Sequence, residues 1–156
     1  MRRRLLLRRL TVAMTALLLL PLRAVANWNQ RAFDSRLPTD ALKAAFGRSD
    51  TVRALEIELK MPTTAYQGAL VPVMALTHLP KVTRMALLVH ENPKPLVALF
   101  EFGPRALAEM ATRVRLLESS EVTVVVESDG QLFSNSQPVR VILGACDGYQ
   151  ASGSSV

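Results

Sequence analysis

The stretch that decides the fold is Val122-Thr123-Val124-Val125-Val126-Glu127, which Asp129-Gly130 separates from Leu132-Phe133-Ser134. β-branched residues dominate the first segment, as they commonly do in strands. Asp-Gly is a dipeptide that favours the tight turn of a β-hairpin. The pattern therefore predicts two neighbouring antiparallel strands joined by this turn.

Further strand patterns recur at short intervals on both sides of the hairpin. Leu55, Ile57 and Leu59 alternate with charged residues, which is the period of a half-buried strand. The other predicted strands cover residues 71–77, 82–90, 96–102, 112–117 and 139–143. About seven short strands separated by turns, without helical crossovers, favour an all-β fold, an antiparallel β-sandwich.

A short helical segment precedes the strands. Residues 41–46 place apolar side chains at helical spacing, with Thr39 or Asp40 as the candidate N-cap and Gly47 as the C-terminal stop. Residues 29–33 are ambiguous between helix and coil. We therefore expect the sandwich to be preceded by one short helix.

The N-terminus has the layout of a secretory signal peptide. Residues 1–9 hold five arginines and no acidic residue, residues 10–22 are mainly apolar, and Ala24-Val25-Ala26 supplies small residues for cleavage. The apolar run of about 13 residues is shorter than the roughly 20 needed to cross a bilayer. We therefore expect residues 1–26 to be removed on export to the periplasm, leaving no membrane anchor. The pair Arg8-Arg9 is compatible with the twin-arginine route, although the general secretory route would also accept this segment.

Removal of the signal segment cancels the basic charge of the full chain. The chain has 19 Lys and Arg against 13 Asp and Glu, a net charge of +6. Six of the arginines precede residue 27, so 19 minus six leaves 13 basic side chains against 13 acidic ones in the remainder. A net charge of zero argues against a nucleic-acid-binding surface.

Few residues are candidates for chemistry. His78 and His90 lack further ligands at metal-binding spacing, and zinc sites need three or four. The sequence therefore predicts neither a metal site nor a cofactor, and it contains no phosphate-binding loop, nucleophile elbow or Cys-x-x-Cys pair. Charged residues that alternate with apolar ones, among them Glu58, Arg113 and Arg115, are interpreted as a solvated sheet face.

Cys146 is the single cysteine of the chain and lies beyond the last predicted strand. Free cysteines are often buried, but Gly144 and Gly148 loosen the backbone here, and Asp147 is poorly suited to burial. An exposed thiol on such an arm can enter the active site of another protein. No adjacent cation stabilises the thiolate, the reactive form, so a partner protein is expected to activate Cys146.

Several longer segments of the chain look familiar when they are taken together. They are Gly68-Ala69-Leu70-Val71-Pro72-Val73, Glu91-Asn92-Pro93-Lys94-Pro95, Thr112-Arg113-Val114-Arg115-Leu116, Ser128-Asp129-Gly130 and Val139-Arg140-Val141. On these segments the chain resembles the SoxY family, the sulfur-carrying subunit of the SoxYZ complex of periplasmic thiosulfate oxidation. The resemblance covers most of the chain after the signal segment.

The resemblance implies an immunoglobulin-like sandwich that forms a heterodimer with a SoxZ-like subunit and acts as a carrier, not as an enzyme. It also implies that Cys146 carries the sulfur substrate covalently. Three kinds of periplasmic enzyme would act on it: a haem-containing enzyme that conjugates thiosulfate, a hydrolase that releases sulfate and, in some versions, a sulfur dehydrogenase. The carrier itself would have no catalytic residue, metal or cofactor.

The arm of this chain differs from the family pattern Gly-Gly-Cys-Gly-Gly. Gly144 and Gly148 occupy arm-glycine positions, but Ala145 and Asp147 replace the inner glycines. We expect Gly144, Ala145 and Gly148 to keep the arm flexible, because alanine restricts the backbone only mildly. Ten residues follow Cys146, where the family has two.

The sequence divides into a signal peptide (1–26), a sandwich domain (27–143) and a C-terminal arm with its tail (144–156). Two other functions stay open. One is a non-catalytic immunoglobulin-like interaction subunit whose thiol is not a carrier. The other, a thiol oxidoreductase, is disfavoured because no second cysteine can resolve a mixed disulfide. The apolar run 122–126 further indicates that a partner covers an edge of the sheet.

Overall fold

Residues 29–66 and 70–142 are described here from a computed structural model. In these ranges two short helices precede nine strands. The elements are α1 (Gln30–Asp34), α2 (Pro38–Phe46), β1 (Val52–Arg53), β2 (Ile57–Lys60), β3 (Thr64–Tyr66), β4 (Leu70–Thr77), β5 (Val82–Val89), β6 (Leu96–Glu101), β7 (Glu109–Arg115), β8 (Ser120–Ser128) and β9 (Gln131–Ile142).

The strands form two sheets packed face to face. The larger sheet has the strand order β1-β9-β8-β5-β6, with β3 added along β9, and the smaller sheet has the order β2-β4-β7. The core between them is apolar, and Val73 of the smaller sheet and Met85 and Val124 of the larger one are almost completely buried. The predicted all-β sandwich is therefore confirmed.

The β8–β9 hairpin forms at the predicted turn. Asp129 and Gly130 both have positive φ, 49° and 75°, as tight hairpin turns require. β9 then continues unbroken to Ile142, whereas the sequence predicted two separate strands. The polar middle of β9 stays extended because its side chains bond to neighbouring backbone. The Nδ2 of Asn135 donates to the carbonyl oxygen of Ile57 at 2.8 Å. The Nε2 of Gln137 donates to the carbonyl oxygen of Met61 at 3.2 Å.

Two short strands depart from the antiparallel pattern. β1 and β3 both pair with β9 in parallel, with Val52 opposite Phe133 and Tyr66 opposite Ile142. Between them the chain crosses to the smaller sheet to form β2, so both return to β9 in the same direction. The remaining strand pairs are antiparallel, as predicted.

The helices cover the outward face of the larger sheet. Ala86, Leu88 and Val125 point outward from β5 and β8 and pack with Leu42 and Phe46 of α2 in a second apolar cluster. Both strands are thus covered on both faces, which explains their continuous apolar sequence. The core between the sheets buries Val122, Val124 and Val126, and the helices cover Val125, so the chain itself accounts for the buried run 122–126 without a partner at a sheet edge.

The helix boundaries correct one sequence prediction. α2 begins at Pro38 and has Leu37 at its N-cap without a side-chain hydrogen bond, so neither Thr39 nor Asp40 is the cap. Proline is well suited to this first turn, because the missing N–H has no partner there anyway. The predicted stop is confirmed, since Gly47 has a left-handed φ of 79°.

Two further local predictions are resolved. Asn29 caps α1, with its Oδ1 accepting from the Ala32 N–H at 3.2 Å, so the ambiguous segment 29–33 is helical from residue 30. The strand predicted to include Leu55 begins only at Ile57, and Leu55 lies in a turn with 77% of its surface exposed. The alternation of apolar residues therefore predicted wrongly that Leu55 belongs to the half-buried strand.

Candidate functional site

The predicted site residues, Gly144, Ala145, Cys146 and Gly148, lie outside the described residues, as does the predicted signal segment 1–26. The structure does describe the strand that leads into them. β9 ends at Ile142, four residues before the cysteine. The described residues therefore show only the strand that precedes the predicted site residues.

The end of β9 is held from two sides. On one side it pairs with β3, and the Arg140 N–H donates to the carbonyl oxygen of Thr63 at 2.9 Å. On the other, the Val141 N–H donates to Oγ of Ser119 at 2.9 Å. Backbone held on both sides belongs to the sandwich, and the described bonds and pairing continue as far as Ile142.

This anchoring limits how far the thiol can reach. Cys146 is four positions after Ile142, and an extended chain of that length spans roughly 14 Å. A free arm starting at Arg140 would have spanned roughly 20 Å. Residue 146 can therefore lie no more than about 14 Å from the end of β9.

The surface beside the end of β9 is acidic. An open depression there is lined by residues of β9 and of the β7–β8 and β5–β6 connections, and its charged members are Glu91, Glu118, Glu121 and Arg140. Three carboxylates against one guanidinium disfavour a nearby thiolate or a bound anion. Activation of Cys146 by a partner protein stays a prediction.

Four exposed apolar side chains lie at the same end of the sandwich. Tyr66, Leu70, Leu117 and Ile142 have 69%, 58%, 50% and 42% of their surfaces exposed. Tyr66 pairs in register with Ile142, while Leu70 pairs with Arg115, two residues before Leu117. We name these four residues the arm-base patch. Grouped exposed apolar residues are typical of protein-binding surfaces.

Asn92 organises the loop that presents part of this patch. Its Nδ2 donates to the carbonyl oxygen of Arg115 at 3.0 Å, and its Oδ1 accepts from the Leu117 N–H at 3.3 Å. The sequence predicts a turn at Asn92-Pro93-Lys94-Pro95 but gives no role to the side chain of Asn92 or to Ser119. An Asn-Pro pair after a strand signals a turn. The turn signal does not reveal the hydrogen-bond partners of the Asn92 side chain, because these are 23 and 25 residues away in the sequence.

Both histidines lie in the described part of the chain. Nε2 of His90 lies 2.8 Å from Oγ1 of Thr123, and His78 is exposed in the loop after β4. Arg113 and Arg115 are exposed on either side of buried Val114, which confirms the solvated face. Within residues 29–66 and 70–142, no group of three or more His, Cys, Asp or Glu side chains is arranged to hold a metal ion.

Neither helix in the described part of the chain has the length and apolar character of a membrane-spanning segment.

Comparisons with known proteins agree with this architecture. Residues 42–146 match the family described as "Sulfur oxidation protein SoxY", and the matched range ends on the cysteine. The sulfur carrier protein SoxY from Chlorobium limicola f thiosulfatophilum has a similar structure, with a TM-score of 0.62 and 33% identity over 66% of this chain and 94% of that one. No curated protein sequence matched the chain.

A more distant likeness concerns the fold alone. The superoxide reductase (neelaredoxin) from Ignicoccus hospitalis has a TM-score of 0.51 and 13% identity, over 55% of this chain and 80% of that one. At this identity the likeness shows a shared sandwich and nothing about chemistry. The family match spans well over half of the sequence, through the sandwich to the cysteine, and so the chain belongs to the SoxY family of sulfur oxidation proteins.

Proposed function

We propose that this protein is a periplasmic carrier that holds sulfur intermediates covalently on Cys146 during thiosulfate oxidation, in complex with a SoxZ-like subunit. The family match, which ends on Cys146, carries the proposal. The firmly held end of β9 supports it, because a carrier thiol needs a fixed base and a short reach. The chain supplies the attachment point, and partner enzymes supply the catalysis.

The loading step forms one S–S bond, between the sulfur of Cys146 and the outer sulfur of thiosulfate. The thiol proton is released, and two electrons pass to a haem-containing partner enzyme. Hydrolysis then cleaves the bond between the two sulfur atoms that came from thiosulfate. Water supplies the fourth oxygen of the departing sulfate, and a persulfide stays on Cys146.

The acidic surface at the arm base supports binding of the sulfur adduct by the partner enzyme and not by the carrier. Glu91, Glu118 and Glu121 disfavour anionic adducts close to the carrier. An enzyme with a cationic site would therefore gain affinity for the loaded arm by removing it from this surface. The arm-base patch offers the same enzyme an apolar contact around the arm.

Intact-mass spectrometry of the protein purified from its own periplasm tests the proposal. During growth on thiosulfate, the mature chain should carry sulfur adducts that a reductant removes. A Cys146→Ser variant should carry none and should fail to support thiosulfate oxidation. Ser152→Ala, in the tail that follows the cysteine, is the matched control and should behave as the wild type.

The departures in the arm make a second function worth testing. Asp147 and the long tail follow a cysteine that the family flanks with glycines, and the apolar arm-base patch would suit an interaction subunit without a carrier thiol. In that case Cys146→Ala cells would oxidise thiosulfate normally. Wild-type protein that carries only the free thiol during growth on thiosulfate would also favour the interaction subunit.

A further inference from the structure

One member of the arm-base patch is placed differently from the other three. Tyr66, Leu70 and Ile142 lie in strands, where pairing with neighbouring strands fixes their positions. Leu117 lies in the connection between β7 and β8, outside both strands, with 50% of its surface exposed. Its position therefore depends on contacts from other parts of the chain.

Asn92, in the connection between β5 and β6, supplies such contacts. Its Nδ2 donates to the carbonyl oxygen of Arg115, and its Oδ1 accepts from the Leu117 N–H. The two bonds bracket Leu116, which is 1% exposed and packs in the core between the sheets. With Leu116 held inside and its two neighbours held by one side chain, Leu117 is turned outward.

The connection that carries Asn92 is itself closed by hydrogen bonds. The Val89 N–H donates to the carbonyl oxygen of Pro95 at 2.8 Å, and the Asn92 N–H donates to that of Val89 at 3.3 Å. Pro93 and Pro95 each fix one backbone angle. Asn92 therefore holds the neighbouring connection from a constrained base, which restricts the positions open to Leu117.

Leu117 lies close to the strand that leads to Cys146. Ser119, two residues further on, accepts at its Oγ from the Val141 N–H at 2.9 Å. Residue 146 lies no more than about 14 Å from the end of that strand. An enzyme that acts on Cys146 therefore approaches this end of the sandwich, where Leu117 is available for contact.

The charges around Leu117 are complementary to an enzyme that binds thiosulfate. Glu118 follows Leu117 directly and lines the acidic depression together with Glu91 and Glu121. Thiosulfate is a dianion, so an enzyme that takes it up needs cationic groups near its entrance, and these attract a surface of carboxylates. The unloaded arm has no anionic adduct that this surface would repel, which favours docking of the enzyme that loads it.

We propose that Asn92 is a positioning residue for sulfur loading, because it holds Leu117 where the haem-containing enzyme that conjugates thiosulfate docks. The inference rests on the proposed carrier function of Cys146. Asn92 acts through Leu117 and not on the reacting sulfur atoms, so its loss weakens docking without changing the chemical step. The KM of the enzyme for the carrier should therefore rise, while kcat should not change.

Steady-state loading assays test the proposal. The mature chain, purified from its own periplasm with its partner subunit, is the varied substrate of the haem-containing enzyme from the same cells. Thiosulfate is saturating, and oxidised cytochrome c in excess accepts the electrons released when the S–S bond forms. Asn92→Ala should raise the KM about tenfold at constant kcat, as the loss of one apolar contact in an interface would.

Leu117→Ser should raise the KM to the same extent, and its combination with Asn92→Ala should raise the KM no further. Because Leu117 is half exposed, this variant keeps the test valid if Asn92→Ala lowers stability. Asn135→Ala is the matched control. It removes a hydrogen bond to the carbonyl oxygen of Ile57 within the sandwich, so it should lower stability without changing the KM.

A wild type that is loaded, with an unchanged KM in Asn92→Ala, would overturn the inference and leave the carrier function in place. So would a lower kcat in Asn92→Ala, or single effects that multiply in the double variant. A wild type that the enzyme does not load would overturn the carrier function as well. If Leu117→Ser keeps the KM but releases the partner subunit, Leu117 binds that subunit and the proposal is wrong.

Discussion

The two sheets of this protein both have apolar side chains on the outward side of a central strand, yet the described residues cover only those of the larger sheet. α1 and α2 lie over the larger sheet and bury Leu88 and Val125. The smaller sheet leaves Met74 with 41% of its surface exposed. A continuous apolar strand is therefore buried on both faces in the larger sheet, whereas the outward side of β4 in the smaller sheet stays exposed.

The strongest test of this contrast is a truncation on the covered face. Leu88 is 1% exposed between the larger sheet and the helices, so Leu88→Ala should lower the free energy of unfolding by about 3 kcal/mol. Met74→Ala is the matched change on the bare face and should cost less than about 1 kcal/mol. Urea unfolding measures both, and equal losses would show that the faces do not differ.

The next test concerns the ion pair that ties α2 to the larger sheet. Arg84 bonds to both carboxylate oxygens of Glu127 at 2.8 Å, donates to the carbonyl oxygen of Ala45 at 2.6 Å and stacks over Phe46. Arg84→Met should lower the free energy of unfolding by about 2 kcal/mol, because it leaves the Ala45 carbonyl without its donor and the partly buried Glu127 carboxylate with only the Thr83 hydroxyl.

A surface ion pair provides the control for Arg84. Lys81 and Asp129 approach to 2.9 Å, but both side chains are more than half exposed to water. Lys81→Met should leave the urea midpoint unchanged, as is usual for solvated pairs. If Lys81→Met lowered the free energy of unfolding as much as Arg84→Met, the loss of an ion pair alone would explain both results. The contact between helix and sheet would then not be the cause.

The Arg84–Glu127 pair also predicts a dependence on pH. Hydrogen bonds from Arg84 hold the pKa of the Glu127 carboxyl below its ordinary value. The stabilisation is therefore complete above the ordinary carboxylate pKa of about 4.3 and is lost as the pH falls through the lower pKa of the folded state. The stability difference between wild type and Arg84→Met should shrink over this acidic window in urea unfolding. A difference that stays constant there would exclude the pair as its source.

The smallest expected effect lies at the arm base, where a loop between the two sheets holds β9. Ser119→Ala removes the acceptor of the Val141 N–H. Global stability should fall by less than about 1 kcal/mol, but amide exchange at Val141 should accelerate as the strand end opens. Ser136→Ala, which removes a hydroxyl bonded to Glu121 instead, should leave that amide unchanged. Unaltered exchange at Val141 in Ser119→Ala would show that the Ser119 hydroxyl does not hold the end of β9.

Local signals gave the elements correctly wherever contacts near in sequence decide them. The Asp129-Gly130 turn and the Gly47 stop depend on backbone conformations that few residues adopt, so they were predicted from single positions. Leu55 was placed wrongly because alternation cannot tell a strand from the turn before it. The middle of β9 was missed because Asn135 stays extended through a bond to Ile57, 78 residues away.

The sequence by itself determined an all-β sandwich, the hairpin and a lone thiol beyond the last strand, since alternation, turn chemistry and composition are local properties. The tertiary structure alone decided that helices cover the outward side of the larger sheet and leave Leu70 and Met74 of β4 exposed, and that β9 is held as far as Ile142. These features depend on contacts between residues distant in the chain, which no local pattern encodes.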